Sequence, residues 1–247
     1  MNEDIDWDPN WWKKKRDESL GRKKAETLTR SGVNAGDAFL VVTEGTVIEP
    51  VYLELFLETL ELSQVWVKVI PGKASDPRHV IETGRSVADE QVRRAKKGEL
   101  AVTEPARFDR VWAVIDTDVA VKEGFWNEVE QLAKARKVRL AHSTPSFEFW
   151  LLLHFGLTTR GDLPNGVAAK SALKDALGRD FAPHEETARE AIRSIIDQWP
   201  EAVGCAENVR RHHRDAATPT PANPSTEMDR LARELNDSAP ERLRKLK

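Results

Sequence analysis

Apolar and polar positions follow two different periods along this chain, and their order predicts an α/β fold. Ala38-Phe39-Leu40-Val41-Val42 is a continuous apolar run between Gly36 and Gly45, the pattern of a strand buried on both faces. From Glu49 onward, Val51, Leu53, Leu55, Phe56, Leu57 and Leu60 give a broad apolar helix face, with Pro50 in the first turn. Residues 65–70, VWVKVI, read as a second strand closed by Pro71-Gly72. Asp76-Pro77 reads as an N-cap followed by proline at the first helical position, opening a polar helix to about Lys97. FDRVWAVID (108–116) predicts a third strand, Glu123 to Lys137 an amphipathic helix, and VRLAHS (138–143) a fourth strand. Pro145 opens the apolar helix SFEFWLLLHF. Beyond Ala168 the pattern is helical, over 168–177, 184–198, about 201–214 and 225–236, with TPTPANPS as a linker before the last.

Strands alternating with helices imply right-handed crossovers and a parallel sheet flanked by helices. Three parts follow: a charged arm over 1–36, an α/β core over 37–160, and a C-terminal α-helical extension over 161–247. Ligands of such sheets bind beyond the carboxyl ends of the strands. The residues just past AFLVV and VWAVI are therefore the place to look for chemistry.

Composition narrows the function classes. The 247 residues carry 38 Lys+Arg against 41 Asp+Glu, a formal net charge of −3, so nucleic-acid contact requires a local basic patch. A mean hydropathy of −0.55 and the lack of any apolar run near the roughly 20 residues of a spanning helix argue against a membrane protein. The N-terminus is acidic and then basic, without the apolar core of a signal peptide, and one cysteine, Cys205, excludes a disulfide framework. A cytoplasmic protein is expected. Within the arm, Trp11-Trp12 precede Lys13, Lys14, Lys15 and Arg16. That stretch reads either as a solvated tail or as a cationic arm gripping a nucleic-acid backbone.

The first strand ends in Val42-Thr43-Glu44-Gly45 and the third in Ile115-Asp116-Thr117-Asp118. An unpaired charge buried there would cost several kcal/mol. On an extended backbone Asp116 and Asp118 share one face, about 7 Å apart at Cα. With Glu44 on a neighbouring strand end they form an anionic oxygen cage that requires protons or cations. Mg²⁺ (or Mn²⁺) suits it, held by carboxylates, waters and a substrate phosphate. Gly45 allows a ligand close to the backbone. The competing reading makes Thr117 or Asp118 the start of a helical turn.

These residues resemble those of a known fold and family. Glu at the end of the first strand, followed by a strand ending in Asp-x-Asp, resembles the Toprim fold of topoisomerases, primases and OLD-family nucleases. More closely, LVVTEGTVIEPVYLELF, FDRVWAVIDTD, HSTPSFEFWLLLHF and Asn223-Pro224-Ser225-Thr226 resemble the RloB family of bacterial defence proteins. The resemblance implies a Toprim-like catalytic core with Glu49 beside Glu44, Asp116 and Asp118. It also implies a metal-dependent nuclease acting as a toxic anti-phage effector beside an ABC-type ATPase (RloA-like), with tRNA the leading substrate and DNA the alternative. Positions 46–48, Thr-Val-Ile, depart from the family pattern and argue against a local hydroxyl orienting Glu49. The runner-up is a non-catalytic Toprim-like module that docks on the ATPase or on nucleic acid. An oligomer is compatible with either.

The remaining candidates each carry two readings. Glu148, between Phe147 and Phe149, is either a fourth active-site carboxylate or a first-turn Glu favoured by the helix dipole. His154 reads as a hydrogen-bonded core histidine ahead of a catalytic base, and Ser146 with His142 as a nucleophile–base pair lacking an orienting third group. Lys73, just past Pro71-Gly72, reaches toward a bound phosphate or is simply solvated. Arg85, Arg93, Arg94, Lys96 and Lys97 read as a solvated face. Arg210, Arg211 and Arg214 either contact phosphate or end a solvated helix. Trp66, Trp112 and Trp150 belong to the core.

Overall fold

The computed structural model describes residues 37–62, 67–72, 76–101, 104–156, 163–179, 181 and 184–246. The readings placed on Lys13, Lys14, Lys15, Arg16, Trp66 and Lys73 lie outside them. β1 (Phe39–Thr43), β2 (Val67–Pro71), β3 (Arg110–Asp116) and β4 (Arg139–Thr144) pair in parallel, and the short β5 (Ser225–Thr226) adds antiparallel to β4. Sheet order is β2-β1-β3-β4-β5. The chain moves outward from β1 to β2 and then crosses to β3 on the other side. The crevice between the carboxyl ends of β1 and β3 is therefore the topological switch point of the sheet.

Both faces of the sheet are covered, which explains the unbroken apolar runs. Along β1, Phe39 and Val41 pack into one core and Leu40 and Val42 into the other. Along β3, Trp112 and Val114 alternate in the same way with Val111, Ala113 and Ile115. The smaller core lies under α2 (Pro77–Lys96) and α4 (Trp126–Arg136). The larger lies under α1 (Ile48–Thr59), α5 (Phe147–Leu152), α6 (Gly166–Leu177), α7 (Glu185–Arg193), α8 (Trp199–Asp215) and α9 (Met228–Ser238). The helical half thus shares its core with the sheet, and Asp37–Lys247 form one compact unit.

Local chemistry sets the element ends. Asp76 caps α2 by accepting the Arg78 N–H at 2.9 Å, with Pro77 at the first position. The helix expected over 123–137 is present as α4, and a further short helix, α3 (Asp118–Lys122), stands before it. Gly124, at φ 77°, makes the break between them in a conformation that favours glycine. Trp112 and Trp150 are buried, as their setting predicted. Arg85, Arg93 and Arg94 pair with Asp89, Glu90 and Glu104, so these members of the basic face of α2 form ion pairs with neighbouring acids. Among the described residues no helix is long and apolar enough to cross a membrane.

Candidate functional site

Glu44 follows β1 directly, and its backbone N–H still donates to the Val114 carbonyl at 2.9 Å, extending the ladder by one residue. Its carboxylate reaches across to β3, where Oε2 accepts the Asp116 N–H at 3.0 Å. Asp116, the last residue of β3, accepts the Phe147 N–H on Oδ1 at 2.8 Å and so satisfies the first amide of α5. Glu49, in the first turn of α1, folds back so that Oε1 accepts the Gly45 N–H at 3.0 Å. Glu148, in the first turn of α5, accepts the Ser146 hydroxyl on Oε2 at 2.6 Å. Two strand ends and two helix starts therefore deliver four carboxylates to the switch-point crevice, each paired with a donor from the chain.

Their electrostatics show how closely they sit. Burial lifts Glu44 from near 4.5 to about 7, with the charges of Glu49 and Asp118 adding to the rise and the Asp116 N–H opposing it. Burial likewise lifts Glu49 to about 7, reinforced by Glu148, and Lys170 pulls the other way. Asp116 is held well above the carboxylate range by burial and by the charges of Glu49, Glu148 and Glu44. The site is short of positive charge as it stands.

Several sequence expectations are relocated by this geometry. Asp116 and Asp118 do not share the face of an extended strand. The chain turns helical at Thr117, and Asp118 opens α3 with Oδ1 accepting the Val119 N–H at 2.7 Å. Asp118 stands at the rim, half-buried, where its charge acts on Glu44. Gly45 makes its close approach to Glu49 rather than to a ligand, since a Cβ there would lie 2.1 Å from Glu49 Oε2. The same contact answers what orients Glu49: a backbone amide rather than a hydroxyl. Thr43 steadies the turn by donating its hydroxyl to the Gly45 carbonyl at 2.7 Å. Gly72 also serves packing, because a Cβ would lie 2.5 Å from the Thr43 carbonyl oxygen.

Other candidates separate from the site. His154 is buried; its Nδ1–H donates to the Trp150 carbonyl at 3.1 Å, which leaves Nε2 to accept the Tyr52 hydroxyl at 3.2 Å. Burial brings it down to about 4, a neutral core histidine as expected. His142 is likewise drawn down to about 4 by burial, its ring edge-on to Trp126 and its Nδ1 3.6 Å from Glu227. Ser146 spends its hydroxyl on Glu148, so no Ser146–His142 pair forms. Arg210 grips Asp229 in a bidentate pair and donates to the Thr226 carbonyl at 2.7 Å, tying α8 to β5 and α9 rather than presenting its head to phosphate. Arg211 and Arg214 are exposed on the same helix.

Sequence reasoning missed Lys170. On α6, its Nζ lies 3.8 Å from Glu148 Oε1. A lysine on an amphipathic helix 22 positions from its partner carries no signal of its own. The Ser146-x-Glu148 spacing was readable as a side-chain contact at a helix start, and the structure uses it so.

The match to known families was decided by one finding: the model of the RloB-like protein family matches residues 39–235. The chain belongs to the RloB-like family. No curated protein matches it, and no solved structure does. In this RloB-like chain the matched span contains every carboxylate of the crevice and Lys170. A divalent cation fits the donor set in kind, because the ligands are hard carboxylate oxygens whose burial, and then mutual repulsion, raises their proton affinity. The closed three-carboxylate cage of Glu44, Asp116 and Asp118 is not formed; among the described residues no three His, Cys, Asp or Glu side chains converge on one ion position. Mg²⁺ requires less, since one or two carboxylates with waters and substrate phosphate suffice.

Proposed function

We propose that this RloB-like protein is a metal-dependent phosphodiesterase of Toprim type, cutting RNA, with tRNA foremost, or DNA. In this reading it is the toxic effector of an anti-phage system and works with an ABC-type ATPase. The observation that carries the reading is the convergence of Glu44, Glu49, Asp116 and Glu148, with Asp118 at the rim, on the switch point of a parallel sheet. A module built only for docking has no use for that many buried, mutually repelling acids, each of which costs stability.

Glu44 and Asp116, with waters and a substrate phosphate and with Asp118 at the rim, would hold Mg²⁺ or Mn²⁺, which would supply charge stabilisation for the attacking and leaving oxygens of a phosphodiester. The chain itself does the positioning. Backbone amides of Gly45, Asp116 and Phe147 fix three carboxylates before substrate arrives, so little reorganisation is left to the reaction. Glu49, raised to about 7, is poised to hold or release a proton near neutrality, the condition for general acid–base work.

The test is incubation of the purified chain, alone and with its ATPase, with labelled total tRNA and plasmid DNA in Mg²⁺ or Mn²⁺. Cleavage by the wild type, lost in Asp116→Asn and Glu44→Gln, is the expected result. Intact substrates under every condition, with stable binding to the ATPase, would instead favour the docking module.

A further inference from the structure

Lys170 is not accounted for by stability. Its ammonium stands 3.8 Å from Glu148 Oε1, beyond hydrogen-bond range, and Glu148 already receives the Ser146 hydroxyl at 2.6 Å. The Lys170 side chain is 64% exposed while that of Glu148 is 5% exposed, so the cation sits at the mouth and the acid within. An ion pair so open to water contributes little to the fold. The element carrying it is nevertheless fitted closely to the site. α6 starts against the crevice, where a Cβ at Gly166 would lie 3.4 Å from Asp118 Oδ2 and from Ser146 Oγ, and Lys170 follows one turn later.

An incoming phosphodiester meets a particular difficulty here. It is an anion approaching five carboxylates, and a cation at the entrance is the group that offsets the repulsion. A lysine head is a compact charge with three donors on a flexible stem, suited to a phosphate oxygen. We propose that Lys170 is a substrate-binding residue, contacting a backbone phosphate of the nucleic acid at the mouth of the carboxylate crevice. The assignment rests on the phosphodiesterase reading and adds to it the residue, from the helical extension, that receives the substrate. It also gives the extension a role in the site beyond packing.

The experiment uses the full chain, with fluorescence anisotropy of a labelled tRNA transcript in Ca²⁺ over a range of salt, beside cleavage in Mg²⁺ or Mn²⁺ and a thermal melt. Lys170→Met should bind about tenfold more weakly, with a log–log salt slope shallower by about one unit for the lost phosphate contact. Lys170→Arg should keep affinity within about threefold of wild type, and both variants should melt as wild type does. If wild type binds and cuts while Lys170→Met matches it in affinity and slope, the assignment of Lys170 falls alone. It falls too if binding is lost equally in Lys170→Met and Lys170→Arg together with melting temperature. A wild type that neither binds nor cuts removes the phosphodiesterase reading and the assignment with it.

Discussion

Glu49 shows how much one residue depends on its neighbours' backbone. Gly45 has no Cβ, so the carboxylate can fold onto its amide, and burial beside Glu148 then raises its proton affinity. The native state keeps the proton up to about pH 7, whereas an unfolded chain releases it near 4.5. Its contribution to stability is therefore full below about 4.5 and is lost as pH rises through about 7. Glu49→Gln retains the acceptor for Gly45 and carries no charge, so its gain in melting temperature over wild type, in chelator, should be larger at pH 8 than at pH 5. An equal gain at both would contradict the buried-acid account. Buried His142 and His154, drawn down to about 4 from 6.5, act in the opposite sense, losing stability as pH falls from about 6.5 through 4. The difference between variant and wild type, rather than the raw pH curve, isolates Glu49. Glu44 and Asp116 were legible in the sequence because a charge directly after an apolar strand has few other places to go. The position of Asp118 was not, because spacing cannot tell an extended backbone from one that has just turned helical. Lys170 was not either, since its partner is distant in the chain.

At the scale of elements, the strands and their order of appearance were readable from apolar runs, and the errors occur where single residues decide a boundary. The short helix Asp118–Lys122, which ends before Gly124, was not read from the periodicity at all. Ser225–Thr226, read as the start of a helix, forms a two-residue edge strand on β4 instead. Two residues are too few for a period of two to show. Their place is set from outside: the Ser143 and Thr226 hydroxyls pair at 2.9 Å, and Arg210 holds Thr226 and the fully buried Asp229 together. The basic cluster at the end of α8 thus contains one arginine that serves the fold. Removing Asp229 would leave the Arg210 cation partly buried without its counter-ion, and breaking a buried pair from one side costs about 3–5 kcal/mol. Asp229→Ala should lose that much in urea denaturation. A loss below about 1 kcal/mol would show that β5 and α9 are held by apolar contacts alone.

The described residues form a sheet covered on both faces, with five acids gathered at the one sheet end where the strand order reverses. That layout, and membership of the RloB-like family, were accessible from the sequence, because both rest on patterns local to strands and helices. The contribution of α6 to the crevice was not, because it depends on how the helical half wraps back on the core. The central claim is that this crevice is a centre for a divalent cation, and thermal melts in chelator and in Mn²⁺ test it most directly, comparing wild type with Asp116→Asn. The asparagine can still accept the Phe147 N–H while removing one of the repelling charges. Metal that binds only the folded state should stabilise wild type by about 2.7 kcal/mol at a hundredfold excess over its dissociation constant. Asp116→Asn should melt higher than wild type in chelator and gain little from Mn²⁺. A wild type indifferent to Mn²⁺, or a variant that gains as much as wild type does, would contradict the account.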